Sequence, residues 1–274
     1  MNTFNYFLTI STIAGGLLFC GSVNSYAQSN QNEALITQIS FENRAEIDQG
    51  ARMSDDLAKE NLADVFQDGS QHEATIRQAS LGRSTALNNT AVAEQRGEGH
   101  FIKIDQGVNE GFSRNNAAIV DQQNEFHTVV IELANDGIAS DNVAFIKQVD
   151  DTHTAVIKQG VEGGEAERNQ ATIDQDGTTH AASIAQGSGF GAAKENSAEI
   201  IQYGGLGNEA IVLQGAGIGG IDGGDATMSI AQVLQNGSGH YVLTIQNNSV
   251  NDRTEISQQG TGHYARVAQG VALP

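Results

Sequence analysis

The sequence predicts an all-β fold, a β-solenoid of about nine stacked strand-arc-strand repeats with cross-β, amyloid-like character. Three observations predict it. First, all 7 histidines occupy one phase of one motif: His72, His100, His127, His153, His180, His240 and His263 stand six residues before Gln78, Gln106, Leu133, Gln159, Gln186, Gln246 and Gln269. Second, the motif, Asn/His-x-Ala-x-Ile/Val-x-Gln, spaces its marked residues two apart with mostly polar residues between, the alternation of a strand with one buried and one wet face. Third, the only proline is Pro274, the last residue, as suits a body built of hydrogen-bonded ladders.

Taken along the chain, residues 1–27 read as a secretory signal peptide: an apolar run over 7–20, then Ser25-Tyr26-Ala27 as a small-x-small cleavage site. A short segment, 28–31, precedes the repeats. The repeats cover 32–270, with first strands opening at Asn32, Asn61, Asn89, Asn116, Asn142, Asn169 and Asn196, then at Ala226 and Asp252. These starts lie 26 to 30 residues apart. Second strands open at Asn43, His72, His100, His127, His153, His180, Asn208, His240 and His263. The two strands of a unit are joined by a short arc such as Gln67-Asp68-Gly69 or Gln175-Asp176-Gly177, where glycine supplies the positive φ of a corner. Longer connections rich in Gly, Ser, Asp and Glu, such as 160–168 and 215–225, sit at one edge of every unit and are expected to form one face. Residues 271–274 are a tail.

Composition bounds the function classes. With no Trp, 5% aromatics and 32 glycines, a conventional bulky core is not available, whereas a thin coil filled by Ala, Ile, Val, Asn and Gln is. A formal charge of −19 argues against binding nucleic acid or an anionic membrane, and no membrane insertion is expected. The one cysteine, Cys20, lies in the predicted signal, so a mature chain has no thiol or disulfide chemistry. No paired carboxylates, Ser/His/Asp set or phosphate loop stands apart from the repeat, so the chain reads as no enzyme, with no cofactor and no metal.

Stacked parallel at about 4.8 Å, each slot faces its own copies. Ala and Ile slots form dry rows. The predicted polar ladders are the Asn starts above, the His row, and two Gln rows: Gln38, Gln67, Gln95, Gln122, Gln148, Gln175, Gln202, Gln232 and Gln258 on first strands, and Gln49, Gln78, Gln106, Gln159, Gln186, Gln214, Gln246 and Gln269 on second strands. The unit at Ala226 puts Met228 in an Ala slot, Thr244 replaces an Ile, and Leu133 replaces a Gln. A one-residue slip would turn every slot outward, so register is strongly set. Neither end shows a capping helix or a Pro-rich plug, and open ends of this kind invite addition of further chains.

The pattern Asn61-x5-Gln67-x-Gly69-x2-His72-x-Ala74-x3-Gln78 resembles the curlin repeat, Ser-x5-Gln-x-Gly-x2-Asn-x-Ala-x3-Gln, with Asn mostly in the Ser slot and His mostly in the second Asn slot. The resemblance runs through essentially all the repeats. It implies a structural subunit of extracellular curli-like fibres at the surface of a Gram-negative bacterium, serving adhesion, aggregation and biofilm matrix. It also implies self as partner, with a nucleator or co-subunit and an outer-membrane secretion channel. A minor, nucleator-like subunit is the nearest alternative, and a soluble monomeric solenoid that binds a surface is the next. Two sharper readings concern sites. The His row offers imidazoles one rung apart as metal ligands or as a pH switch. Gly219-Gly220-Ile221-Asp222-Gly223-Gly224-Asp225 resembles one fragment of a calcium-binding nonapeptide, against a flexible acidic loop as the plainer reading.

Overall fold

The computed structural model describes residues 7–11, 23–27, 29–50, 57–79, 84–216 and 224–270. Every regular element among them is a β-strand, and every strand pairs in parallel with its counterpart one turn away. The chain winds through three sheets. Two hold ten strands each and the third holds nine. One turn is typified by Thr90–Glu98 in the first sheet, Phe101–Val108 in the second and Phe112–Arg114 in the third.

Alternation within each strand sets which residues face in. In Leu62–Ser70, Ala63, Val65 and Gln67 are buried, and the residues between them lie towards solvent. Parallel pairing then aligns like with like: Ala63 with Ala91, Ala91 with Ala118, Gln67 with Gln95 and Gln95 with Gln122. The second sheet does the same with Ile76, Ile104, Ile131 and Ile157. The result is one continuous aliphatic core along the stack. Each buried Ile contributes roughly 1.5–3 kcal/mol of apolar burial, so every turn adds to stability in small equal steps.

Corners are as regular as strands. The residue just before each first-strand slot is left-handed, including Asn88 (φ 53), Asn115 (φ 53), Asp141 (φ 56) and Arg168 (φ 54). The next backbone N–H then meets a side-chain acceptor of the preceding turn, at 2.9 Å from Asn89 to Asn61 Oδ1.

Two findings differ from the two-strand reading. The connection after each second strand is a strand-bearing face of its own: Leu57–Lys59, Thr85–Leu87, Ile138–Ser140, Glu165–Glu167 and Ala192–Lys194 stack in the third sheet. Their middle residues, Ala58, Ala86, Ala139, Ala166 and Ala193, are buried in a column. Three residues are too short a run for period-two patterning to declare itself.

The second difference is the unit expected to open at Ala226. Ala226 belongs to the third sheet, between Ala193 and Ser249. The slot residues are Ser229, Ala231, Val233 and Gln235, paired so that Ala231 meets Ala198, Val233 meets Ile200 and Gln235 meets Gln202. Gln232 is therefore not in the Gln row: it pairs with Glu199 on the outer side. The two registers differ by three, an odd number, and so put opposite sets of side chains inward. The observed one buries Ala, Val and Gln and leaves Met228 44% exposed.

At the start of the chain, Phe7–Ser11 pairs with Glu33–Ile39 and Val23–Ala27 with Arg44–Gln49, laying a further turn on the first repeat. The rest of the expected signal peptide, including Cys20, lies outside the described residues. So do 219–223 of the calcium-like stretch and the tail 271–274.

Candidate functional site: side-chain ladders and the ends of the stack

The first Gln row is unbroken. Each Nε2 donates to the Oε1 of the next turn: Gln38 to Gln67 at 2.6 Å, Gln67 to Gln95 at 2.8, Gln95 to Gln122 at 3.2, Gln122 to Gln148 at 3.0, Gln148 to Gln175 and Gln175 to Gln202 at 2.8. It continues through Gln202 to Gln235 at 2.7 Å and Gln235 to Gln258 at 3.1 Å. The other Nε2 hydrogen of Gln67, Gln95, Gln122, Gln175, Gln202, Gln235 and Gln258 finds a backbone carbonyl, as Gln67 does with Arg44 O at 3.1 Å.

The second row runs Gln49, Gln78, Gln106, then Gln159, Gln186, Gln214, Gln246 and Gln269, with amide contacts of 2.7 to 2.8 Å. Leu133 stands between Gln106 and Gln159 and is fully buried. A leucine cannot donate, and Gln159 Oε1 is left buried without a partner. At Thr244, in the Ile slot between Val212 and Val267, the hydroxyl is likewise buried and unpartnered.

The Asn column works through both ends of its amide. Asn61 Oδ1 accepts from the N–H and Nδ2 of Asn89, while Asn61 Nδ2 reaches Ala86 O in the third sheet at 2.9 Å. From Asn32 through Asn61, Asn89, Asn116, Asn142, Asn169 and Asn196 each Oδ1 accepts the next slot's backbone N–H, the last from Ser229 at 2.7 Å. Asp252 fills the column in the last turn.

The His row is the most tightly specified. His72, His100, His127, His153 and His180 are buried and stack with ring centroids 4.9 to 5.1 Å apart and planes within 8° of parallel. His240 and His263 form a second stack beyond Asn208. In every internal step the Nδ1 accepts the backbone N–H of the next slot, at 3.1 to 3.3 Å. Each Nε2 lies 2.7 to 3.3 Å from the carbonyl four residues earlier, for example Gln123 O for His127. An Nδ1 that accepts is unprotonated, so the proton sits on Nε2 and donates to that carbonyl. Both nitrogens of the five-ring stack are engaged, leaving no lone pair for a metal. Among the described residues no group of three His, Cys, Asp or Glu is placed to hold one. Burial pushes these imidazoles down from the ordinary 6.5, with neighbouring rings adding to it, to about 4 for His100, His127 and His180.

The outward phases of the second strands carry a charged ladder. Arg77 grips the buried Asp105 through two contacts, at 2.7 and 2.6 Å; Lys103 Nζ reaches Asp105 at 2.7 Å and Glu132 at 3.1 Å; Lys158 adds a contact to Glu132 at 3.4 Å. Burial raises the Glu132 carboxyl, but Lys158 and Lys103 outweigh it and hold the group below its usual range. The available signal was sign alternation at one-repeat spacing, from Arg77 to Asp105 and from Glu132 to Lys158.

Residues 166–204 match the model of the curlin associated repeat. They span one whole turn and the start of the next: Glu165–Glu167, Gln170–Thr178, Ala181–Ser188, Ala192–Lys194 and into Ser197–Leu206. Over these residues the chain carries a curlin associated repeat. Within the match, Gln175, Gly177, His180, Ala182 and Gln186 hold the motif positions, and those facing inward are ladder or core residues. Turns on either side of the matched span repeat the same geometry. No curated protein matches the chain. A curlin repeat on a β-solenoid of this kind fits a curli-type structural subunit.

Proposed function

We propose that this protein is a structural subunit of extracellular curli-like amyloid fibres, growing by end-to-end stacking of its turns and serving adhesion, aggregation and biofilm matrix. One observation carries the reading. Among the described residues, the last turn, Arg253–Thr261 and Tyr264–Gln269, has strand neighbours on one side only, and its slots copy those of the interior. His263 lies exposed there, whereas His72 through His240 are buried. An open parallel edge with matching slots is a template for another chain. The predicted signal 1–27, passage through an outer-membrane channel and initiation by a nucleator or co-subunit belong to the same reading.

The test is to dilute the chain from denaturant and follow thioflavin T fluorescence, electron microscopy and fibre diffraction. Lagged growth into fibres with reflections near about 4.7 Å and about 10 Å is expected. A soluble β-rich monomer that persists for days would overturn the fibre role and favour a monomeric surface-binding solenoid.

A further inference from the structure

The outer face of the first sheet carries an apolar patch. Parallel pairing puts Val92, Ile119 and Phe145 in one outward column and Thr90, Ala117 and Val143 in the next. Among the described residues no further strand is layered on them: Val143 is 40% exposed and the others are half-buried. A contiguous apolar surface of this kind on a sheet face marks a contact. Beside it runs a charged column, Glu94, Asp121, Lys147 and Asp174. Arg96 and Gln123, then Val149 and Asp176, lie two residues further along the same strands. These charges are loosely held within the chain: Asp121 is 3.8 Å from Arg96, and Lys147 is 4.0 Å from Asp174. Asp176 is crowded by Asp150 and Asp174, and burial and those neighbours hold its carboxyl above the usual range.

We infer that this face is a lateral interface with a second copy of the chain, whose stack runs in the opposite direction. A two-fold axis along the strands, between Ala117–Glu125 and Val143–Asp151, sets each residue opposite the same strand position of another turn. Ile119 then faces Phe145 and Ala117 faces Val143, each twice by symmetry. Asp121 faces Lys147, and Arg96 supplies the cation that crowded Asp176 lacks beside it. Glu94 comes opposite Asp174, but each has a cation next to it in its own copy, Arg96 and Lys147. Asp64 and Glu199 meet at the rims, where water and salt screen them. With both stacks running the same way each turn would face itself, and the strand Ala117–Glu125 carries no cation to meet Asp121. Taken over the strands from Leu62–Ser70 to Ser197–Leu206, the face covers about 650 Å² on each copy, from about 4.8 Å between strands and about 3.3 Å per residue. The total, about 1,300 Å², exceeds the roughly 1,000 Å² that a specific interface needs. The inference goes beyond the fibre reading and does not need it, because it joins copies side to side, whatever happens at their ends.

The experiment uses preformed fibres of the full chain and of two charge variants, Asp121→Lys and Lys147→Asp, and counts by electron microscopy the fraction of fibres lying in side-by-side pairs. Each variant alone sets like charge opposite like charge, and its paired fraction should fall by about fivefold or more. Mixing fibres of the two variants should restore pairing to within about twofold of the unaltered chain, because the new lysine of one faces the new aspartate of the other. Nothing inside either copy changes on mixing, so the restoration reads the contact between copies. Thioflavin T growth rates of both variants should stay within about twofold of the unaltered rate, which separates the lateral face from growth at the ends. Variants that pair like the unaltered chain, mixtures that stay single, or unaltered fibres that never pair overturn the interface and leave the fibre intact. An unaltered chain that forms no fibres overturns the fibre reading alone. The same mixing is then read by sedimentation of the folded chains: dimers in the unaltered and mixed samples only support the interface, and monomers throughout overturn it.

Discussion

Acid should unlock the stack through the five-ring His row. Each ring accepts a backbone N–H at Nδ1, donates from Nε2 to a carbonyl, and lies about 5 Å from its neighbours. Protonation puts a hydrogen on Nδ1, facing another N–H, and places positive charges one turn apart. Moving an imidazole from 6.5 to about 4, as at His100, His127 and His180, corresponds to about 3 kcal/mol for a single ring at about 1.36 kcal/mol per tenfold change in proton affinity. The charged rings repel one another, so the shifts act together and not as independent increments. His72 and His153 are shifted in the same direction. The sign follows from which state binds protons first. Unfolded chains take them up as pH falls through about 6.5, and the stack resists until about 4. Stability is therefore full above about pH 6.5, declines as pH falls through the window, and levels off below about 4. Guanidinium unfolding midpoints from pH 7.5 to 4 measure this, beside a variant carrying Asn at all five positions. Asn already serves at Asn43 and Asn208, where Oδ1 accepts the next His N–H at 3.1 and 3.0 Å. A midpoint that stays flat from pH 7 to 4.5, or an Asn variant with the same slope, refutes the reasoning.

Other perturbations follow from the same geometry. Gln122→Leu removes the acceptor of Gln95 and the donor to Gln148 and should cost about 2–4 kcal/mol by denaturant unfolding, whereas Leu133→Gln, which gives Gln159 Oε1 its donor, should fall within about 1 kcal/mol of the unaltered chain; equal losses would contradict the ladder account. Gly97→Ala drives a Cβ into the Asn124 carbonyl at φ 118 and should cost more than about 2 kcal/mol by denaturant unfolding, while Gly207→Ala, at φ 66 in open space, should cost about 1 kcal/mol. Asp105→Ala leaves the Arg77 guanidinium and Lys103 ammonium short of a buried partner and should cost about 3 kcal/mol, read as a shift in thermal midpoint that Glu73→Ala, at an exposed pair, does not produce.

The period-two placing of Ala, Ile and Gln determined the strands and their inward faces from the sequence alone, because alternation is a property of a single extended segment. The in-phase histidines likewise announced one structural slot. What lay beyond sequence was set by contacts between residues 23 to 33 positions apart, where local pattern carries no information. The third sheet arises because stacking aligns Ala86 with Ala58, although three residues such as Thr85–Leu87 show no period of their own. The Ser229 register was decided by the pairing of Ala231 with Ala198 and Gln235 with Gln202, against a nearer-spaced start at Ala226. Only the stack reveals that Nδ1 of each internal His accepts a backbone N–H, which turns a metal-ligand composition into a hydrogen-bonding ladder. Sequence determined what each turn is made of; tertiary structure decided which turn's donors meet which turn's acceptors, because that choice depends on the direction in which the coil rises.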